Sequence, residues 1–326
     1  MSMIKTFVKG CINIFAKLKV KVLDIIQGIV EAARTISYVE TVSDKADTLH
    51  RYVKQADERT LKRAFELNAR NAIRRMGLGK ITLAVDTTHE LYYGRNGKMN
   101  VRQKKFEKGT DEAFTYVVLS IVEPRPLPLM AIPYKQGDNL TALVKELLDY
   151  AKSLPITIKY VLFDRGFYIG DLISYLSLEK IRYLIFVPQN EAMKRYITQT
   201  DNIASFCHEI KWNKNFTWWK TQTIIVVIHD NFSREKEYYW CFATNLRQSL
   251  YLISKYKRRW QIETDFRVHD EARIKTKSNF QIIRYFYFLT SLILLTNWEV
   301  NRILHPEVCF KKYLKFVQEK IEKEIT

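Results

Sequence analysis

The chain is poor in the residues from which metal-knuckle and disulfide scaffolds are built. Its 326 residues include four cysteines, Cys11, Cys207, Cys241 and Cys309, far apart and without a C-x-x-C pair. This excludes a zinc knuckle and a disulfide framework, and reduced thiols in an intracellular protein are the simple reading. The six histidines place no two at metal-ligand spacing on one helix face. No internal repeat or low-complexity tract is visible. The lysine-studded amphipathic N-terminus lacks the apolar h-region and cleavage site of a secretory signal. The longest apolar run, between Arg284 and Glu299, is broken by Thr290, Ser291, Thr296 and Asn297. It is shorter than the ~20 residues of a membrane span and reads as a buried helix, so no membrane partner is expected. Acidic residues are also in deficit, 35 Asp+Glu against 53 Lys+Arg, for a formal net charge of +18. An apolar fraction of 47% excludes a disordered basic tail. The charge excess makes polyanions the first partners to consider, nucleic acid before anionic membrane.

What is present falls into four stretches. Residues 1–79 read as a helical head, with Ile12, Phe15, Leu18, Val22, Ile25 and Ile29 at three- and four-residue steps. A second helix is expected from the Ser43–Asp44 cap signal and a third from Glu58 to Met76, stopped by Gly77. Residues 1–80 carry 16 Lys+Arg against 8 Asp+Glu, a net of +8, so the head reads equally as a DNA-binding module or as a helical cap on the adjoining domain. From 80 to 187 the pattern is α/β. Ile81–Val85 is a strand ending at Asp86, and residues 95–108 are a loop or hairpin tip. Strands follow at 116–122 and 129–132, then a helix capped by Asp138 or Asn139. Tyr160–Phe163 is a strand ending at Asp164, followed by a short helix and a strand at 183–187. Residues 188–247 are mostly β, and 248–326 are helical. Both Asp86 and Asp164 stand at the C-terminal end of an apolar strand, where open α/β sheets place their sites.

A helix expected around Glu263 carries Tyr256, Arg259, Glu263 and Arg267 within an arc of about 80°, and Asp270 joins the same stripe. Such a stripe is commonly a solvated, salt-bridged face. The alternative is chemical. Converging carboxylates can hold two Mg²⁺ ions about 3.5–4 Å apart, and Arg259 and Arg267 beside them can take phosphate bidentately. The cations Arg95, Lys98, Arg102, Lys104, Lys105 and Lys108 suit a DNA backbone track, with a solvated hairpin as the plain alternative. His89 and Glu90 read as loop positions without assigned chemistry, with a metal or base role as the alternative.

At these residues the sequence resembles the DDE transposases of cut-and-paste insertion sequences. Leu83-Ala-Val-Asp86-Thr-Thr, continued by Tyr92-Tyr-Gly94, resembles their first-strand motif. Val161-Leu-Phe-Asp164-Arg-Gly-Phe167-Tyr resembles the motif of the second Asp. Tyr256-x2-Arg259-x3-Glu263-x3-Arg267 resembles the signature around the Glu in a branch common among archaeal elements. Other branches carry a Lys seven residues after the Glu, where this chain has Asp270. The resemblance spans about residues 80–300.

It implies a ribonuclease-H-like mixed sheet flanked by helices, an α/β fold with a β-rich insertion and the helical head. It further implies Asp86, Asp164 and Glu263 as the catalytic and metal-binding triad for two Mg²⁺ ions, with Mn²⁺ as a substitute. The implied reaction is hydrolysis of a phosphodiester at the element end, then attack of the freed 3′-hydroxyl on target DNA. Tyr256, Arg259 and Arg267 would position terminal phosphates. An aromatic of the insertion, Trp212, Trp218 or Trp219, would stack on a flipped base or else pack a small sheet of its own. The partners are then double-stranded DNA, as element ends and target, and a second copy of the chain, in a cytoplasmic, nucleoid-associated setting. A ribonuclease-H-like nuclease or resolvase that cuts without joining stays open, as does a domesticated DNA-binding copy. A phosphatase using the Asp-Thr-Thr segment is disfavoured because Thr88 stands where its second Asp would be.

Overall fold

The computed structural model describes residues 5, 6, 8, 22–94, 101–214, 216–230, 238–260 and 273–325. Helices α1 (Val22–Thr35), α2 (Val39–Val42), α3 (Ala46–Val53) and α4 (Glu58–Met76) open the main described stretch. The bounds of α4 follow local signals. The Asp57 carboxylate accepts from the Thr60 N–H at 2.7 Å, and Gly77 stops the helix at a φ of 61° that costs a residue with Cβ far more. α3 starts at Ala46 rather than at the Ser43–Asp44 signal, because the Ser43 hydroxyl accepts from the Lys45 N–H and serves the turn before the helix.

Among the described residues nine strands form one sheet: β1 (Lys80–Leu91), β2 (Arg102–Glu107), β3 (Thr110–Glu123), β4 (Leu127–Tyr134), β5 (Thr157–Phe163), β6 (Tyr183–Phe186), β7 (Ile203–Lys214), β8 (Thr217–Asp230) and β9 (Tyr238–Thr244). Their order is β2-β3-β1-β5-β6-β9-β8-β7, with β4 also on β3. β1, β5 and β6 are parallel, while β3 runs against β1 and β4 against β3. Helix α5 (Leu140–Lys152) connects β4 to β5, and α6 (Gly170–Leu178) connects β5 to β6. This is a ribonuclease-H-like mixed sheet flanked by helices. Asn139 caps α5, its side-chain oxygen accepting from the Ala142 N–H at 3.0 Å.

Residues 188–247 hold the helix α7 (Glu191–Ile197) as well as strands, and they form no sheet of their own. β9 pairs antiparallel with β6, Leu184 opposite Thr244 and Phe186 opposite Phe242, so these strands extend the central sheet. In the stretch 95–108, expected as a loop or hairpin tip, the described residues form β2, joined to β3 as a hairpin by Lys108 and Gly109 with φ of 48° and 90°. Residues 95–100, with Arg95 and Lys98, lie outside the described residues.

The C-terminal part contributes α8 (Tyr251–Lys257), α9 (Gln281–Asn301) and α10 (Phe310–Ile325). α9 contains the expected buried apolar run, and it is buried on nearly every side, which its weak amphipathicity requires. The Phe288 ring stacks on Tyr116 of β3 at 4.0 Å, and the Tyr285 hydroxyl donates to the Ala131 carbonyl at 2.6 Å. Helix α4 lies against α9 and β4, and α1 against α10, so Ile25, Ile29, Leu61, Phe65 and Ile73 share one core with the strands. His50 Nε2 lies 2.9 Å from the Tyr287 hydroxyl, and Lys62 pairs with Glu146 at 2.6 Å. The N-terminal helices thus pack on α9 and α10 and, through α4, on β4. No helix among the described residues is long and apolar enough to cross a membrane. Cys207, Cys241 and Cys309 are free thiols, and Cys11 lies outside the described residues.

Candidate active site

The parallel register of β1 and β5 ends at the pair Val85–Phe163. Asp86 and Asp164 each follow by one residue, so the topology sets them side by side. Beyond this point the strands differ. β5 stops, and Asp164, in extended conformation, opens the 3₁₀ turn Arg165–Phe167. β1 does not end at Asp86 as its apolar run suggests; it continues along β3 as far as Leu91 opposite Ala113. The reason lies in cover. Residues 81–85 are flanked by two strands and buried on both faces, which selects apolar side chains except Thr82, whose hydroxyl donates to Glu123. From Asp86 onward β5 is gone, exposure alternates, and polar residues are admitted.

Two side chains from the end of α8 join the carboxylates. The Arg259 Nη1 donates to Asp86 Oδ2 at 2.7 Å, while Asp86 Oδ1 accepts from the Thr87 N–H at 2.8 Å. The Arg259 Nε donates to the Tyr256 hydroxyl at 3.2 Å, and that hydroxyl donates to Asp164 Oδ1 at 3.3 Å. Asp86, Arg259, Tyr256 and Asp164 therefore form one connected chain. Tyr256 is held among Phe186, Trp240 and Phe242, with ring centroids 5.7, 6.1 and 5.2 Å away. Burial pushes its phenol well above the ordinary value, so it stays protonated as a donor. Tyr256 and Arg259 are 3% and 5% exposed, which excludes the solvated-face alternative for this part of the stripe. The expected helix does not run unbroken through this stripe: α8 ends at Lys257, and Arg258 and Arg259 lie in a turn. Arg258 pairs with Glu123 at 2.8 Å, and Glu123 also accepts from Thr82, so the turn is tied to β3 and β1. Glu263, Arg267 and Asp270 lie outside the described residues.

The other candidates spread more widely. The Arg102 guanidinium covers the Tyr134 ring at 3.8 Å. Lys104 is held by Glu107 and lies 2.5 Å from His89 Nε2, whereas Lys105 is exposed. Arg165, next to Asp164, is exposed. Trp212 does not pack a separate sheet: its ring lies on Gly170 at the start of α6, where a Cβ would collide with it. Across the β7–β8 hairpin Trp212 faces Trp219, which is 54% exposed, and the neighbouring Trp218 is 73% exposed.

Sequence reasoning missed the role of Glu90. It lies in β1, two alternations beyond Asp86 on the same face, and is buried. Its carboxylate lies 3.3 Å from the Arg273 Nε and 3.8 Å from the Arg284 Nη1. The even spacing Asp86, Thr88, Glu90 was the available signal, but reading the strand as finished concealed it.

Among the described residues no three His, Cys, Asp or Glu side chains gather as a metal site. The pair Asp86 and Asp164 still suits a hard divalent cation: both offer carboxylate oxygens, and Asp86 already draws a buried guanidinium to balance its charge.

The sequence matches the family described as "Transposase DDE domain" over residues 79–278, more than half the chain. No curated protein matches it. Among solved structures, a cryo-EM structure of the piggyBac transposase synaptic complex with hairpin DNA is similar in fold, with a TM-score of 0.59 and 12% identity. That match covers 98% of this chain and 77% of the other. The chain belongs to the DDE transposase domain family.

Proposed function

We propose that this transposase cuts DNA at the two ends of a mobile element and joins the freed 3′-hydroxyls to target DNA. The observation that carries this reading is the adjacency of Asp86 and Asp164 at the end of the β1–β5 pair, bridged by Arg259 and Tyr256. Asp86, Asp164 and Glu263 would hold divalent ions, Mg²⁺ or Mn²⁺, in a two-ion arrangement. When bound, such ions supply activation of the attacking oxygen and charge stabilisation at the leaving one.

The chain's own groups do the rest. Arg259 and Tyr256 fix the carboxylates in position, and Arg259 with Arg267 offers guanidinium donors to a terminal phosphate. Arg102, Lys104 and Lys105 add cations to a DNA track, of which Lys105 is the most accessible. Trp218 and Trp219 present open aromatic faces to an unstacked base. A homodimer would cut paired ends together, acting at the nucleoid in the cytoplasm.

The test is incubation of the protein with labelled duplex carrying the DNA that flanks its gene, plus plasmid target and Mg²⁺. Joined products support transposition. Nicks alone assign a nuclease, and binding without either assigns a DNA-binding protein.

A further inference from the structure

We infer that a cleft beyond the carboxylates, between the end of β1 and the segment 273–284, holds a single strand of DNA by its backbone. The inference rests on the proposed function, that the chain handles DNA. The cleft measures about 450 Å³ and is bounded by Tyr38, Tyr92, Tyr93, Glu90 and four cations, Arg273, Lys275, Lys277 and Arg284. Cations outnumber carboxylates along it, which is the field a polyanion needs.

The four cations are not alike. Arg273 and Arg284 are fixed by the buried Glu90, and Arg284 is fixed further by donating from Nε to the Ser278 carbonyl at 2.7 Å. Lys275 and Lys277 are exposed and, among the described residues, pair with no carboxylate. Their backbone is nevertheless held: the Lys275 carbonyl accepts from the Val39 N–H at 2.9 Å, and the Lys277 N–H donates to Glu40 Oε1 at 2.9 Å. The cleft thus presents two exposed ammonium groups, on backbone held by hydrogen bonds, beside two guanidinium groups paired with Glu90. Two aromatic rings lie beside them, Tyr38 at 45% and Tyr93 at 64% exposure, with the Lys277 ammonium 5.9 Å from the Tyr38 ring centroid. The Tyr93 hydroxyl donates to the Lys108 carbonyl at 3.2 Å, which restrains the ring without covering it. Cations that follow a backbone, with aromatic faces for bases, form the usual arrangement of single-strand grooves.

Position supports the same ligand. Glu90 lies four residues past Asp86 on the same face of β1, about 13 Å at 3.3 Å per residue. A strand leaving the carboxylates along β1 would reach the cleft within a few nucleotides.

The test is fluorescence anisotropy of the metal-free full chain with labelled oligo(dT) and with a duplex of the same length, across a salt series. Lys275→Gln/Lys277→Gln is expected to weaken oligo(dT) binding at least ~10-fold and to reduce the log–log salt slope by roughly 1.4, two phosphates at ~0.7 each. Tyr93→Ala is expected to weaken it about fivefold or more through lost stacking. Both sites are exposed, and an unchanged thermal transition confirms that folding is intact. An unchanged slope and affinity overturns the cleft, and an equal loss on the duplex overturns the single-strand assignment. Failure here is distinct from failure of the proposed reaction. Cleavage of end DNA that Asp164→Ala abolishes, with an unchanged slope, retains the reaction and removes only the cleft. Altered oligo(dT) binding in a protein that never cuts DNA does the reverse.

Discussion

Arg259 and Asp86 lie 173 residues apart and meet at 2.7 Å, with side chains 6% and 14% exposed. A buried carboxylate deprived of its counter-charge is costly. Loss of one partner of such a pair typically removes about 3 kcal/mol or more. Arg259→Ala is therefore expected to lower the melting temperature clearly in metal-free buffer. Added Mg²⁺ should recover part of the loss, since a cation at Asp86 replaces the missing guanidinium. Calorimetric scans with and without Mg²⁺ check this; a Mg²⁺-induced rise no larger than that of the wild type would count against it.

Tyr256 separates packing from hydrogen bonding. Tyr256→Phe keeps the ring among Phe186, Trp240 and Phe242 but removes the bonds to Asp164 and Arg259. The expected loss is about 2 kcal/mol. Tyr256→Ala also empties an aromatic site and should cost about 4 kcal/mol. Urea denaturation of the two variants reads both; no loss in Tyr256→Phe would show that the hydroxyl contributes nothing, and equal losses would show that the ring packing contributes nothing.

Gly170 is the point where the β7–β8 hairpin rests on α6. A methyl group there collides with the Trp212 ring, so Gly170→Ala is expected to destabilise by about 1–3 kcal/mol and to shift tryptophan fluorescence. Gly77→Ala strains a positive φ but meets no neighbour, so it should leave the fluorescence unchanged.

Acidification acts through His50. Burial lowers its pKa below 6.5, although Glu40 and Asp47 pull the other way. The unfolded chain therefore binds the proton first. His50 contributes stability in full above about pH 6.5, and that contribution is lost as pH falls from there through the lower folded value. Wild type should lose more stability than His50→Gln between pH 7 and 5, as read by melting temperature.

Local signals were legible in the sequence, and long-range pairings were not. Gly77 marks the end of α4 because a cap acts within a turn of the residue that makes it. Asp164 was legible because β5 ends where its cover ends. Asp86 was found for a reason that proved incomplete: its apolar run stops because β5 stops, while β1 runs on. Glu90 was missed for that reason, and its partners Arg273 and Arg284 are brought to it only by the fold. The pairing of β9 with β6 was likewise unreadable, since alternation shows that a strand has a buried face and not which strand lies beside it.

The central claim is that Asp86, Asp164 and Glu263 act together on DNA through divalent metal. Its most direct test is Mg²⁺ titration of end-DNA cleavage by the wild type and by Asp86→Ala, Asp164→Ala and Glu263→Ala, with DNA binding measured in parallel. The account predicts Mg²⁺-dependent cleavage by the wild type and none by any of the three variants, with DNA binding largely retained. Cleavage at a normal rate by any one of them would contradict it.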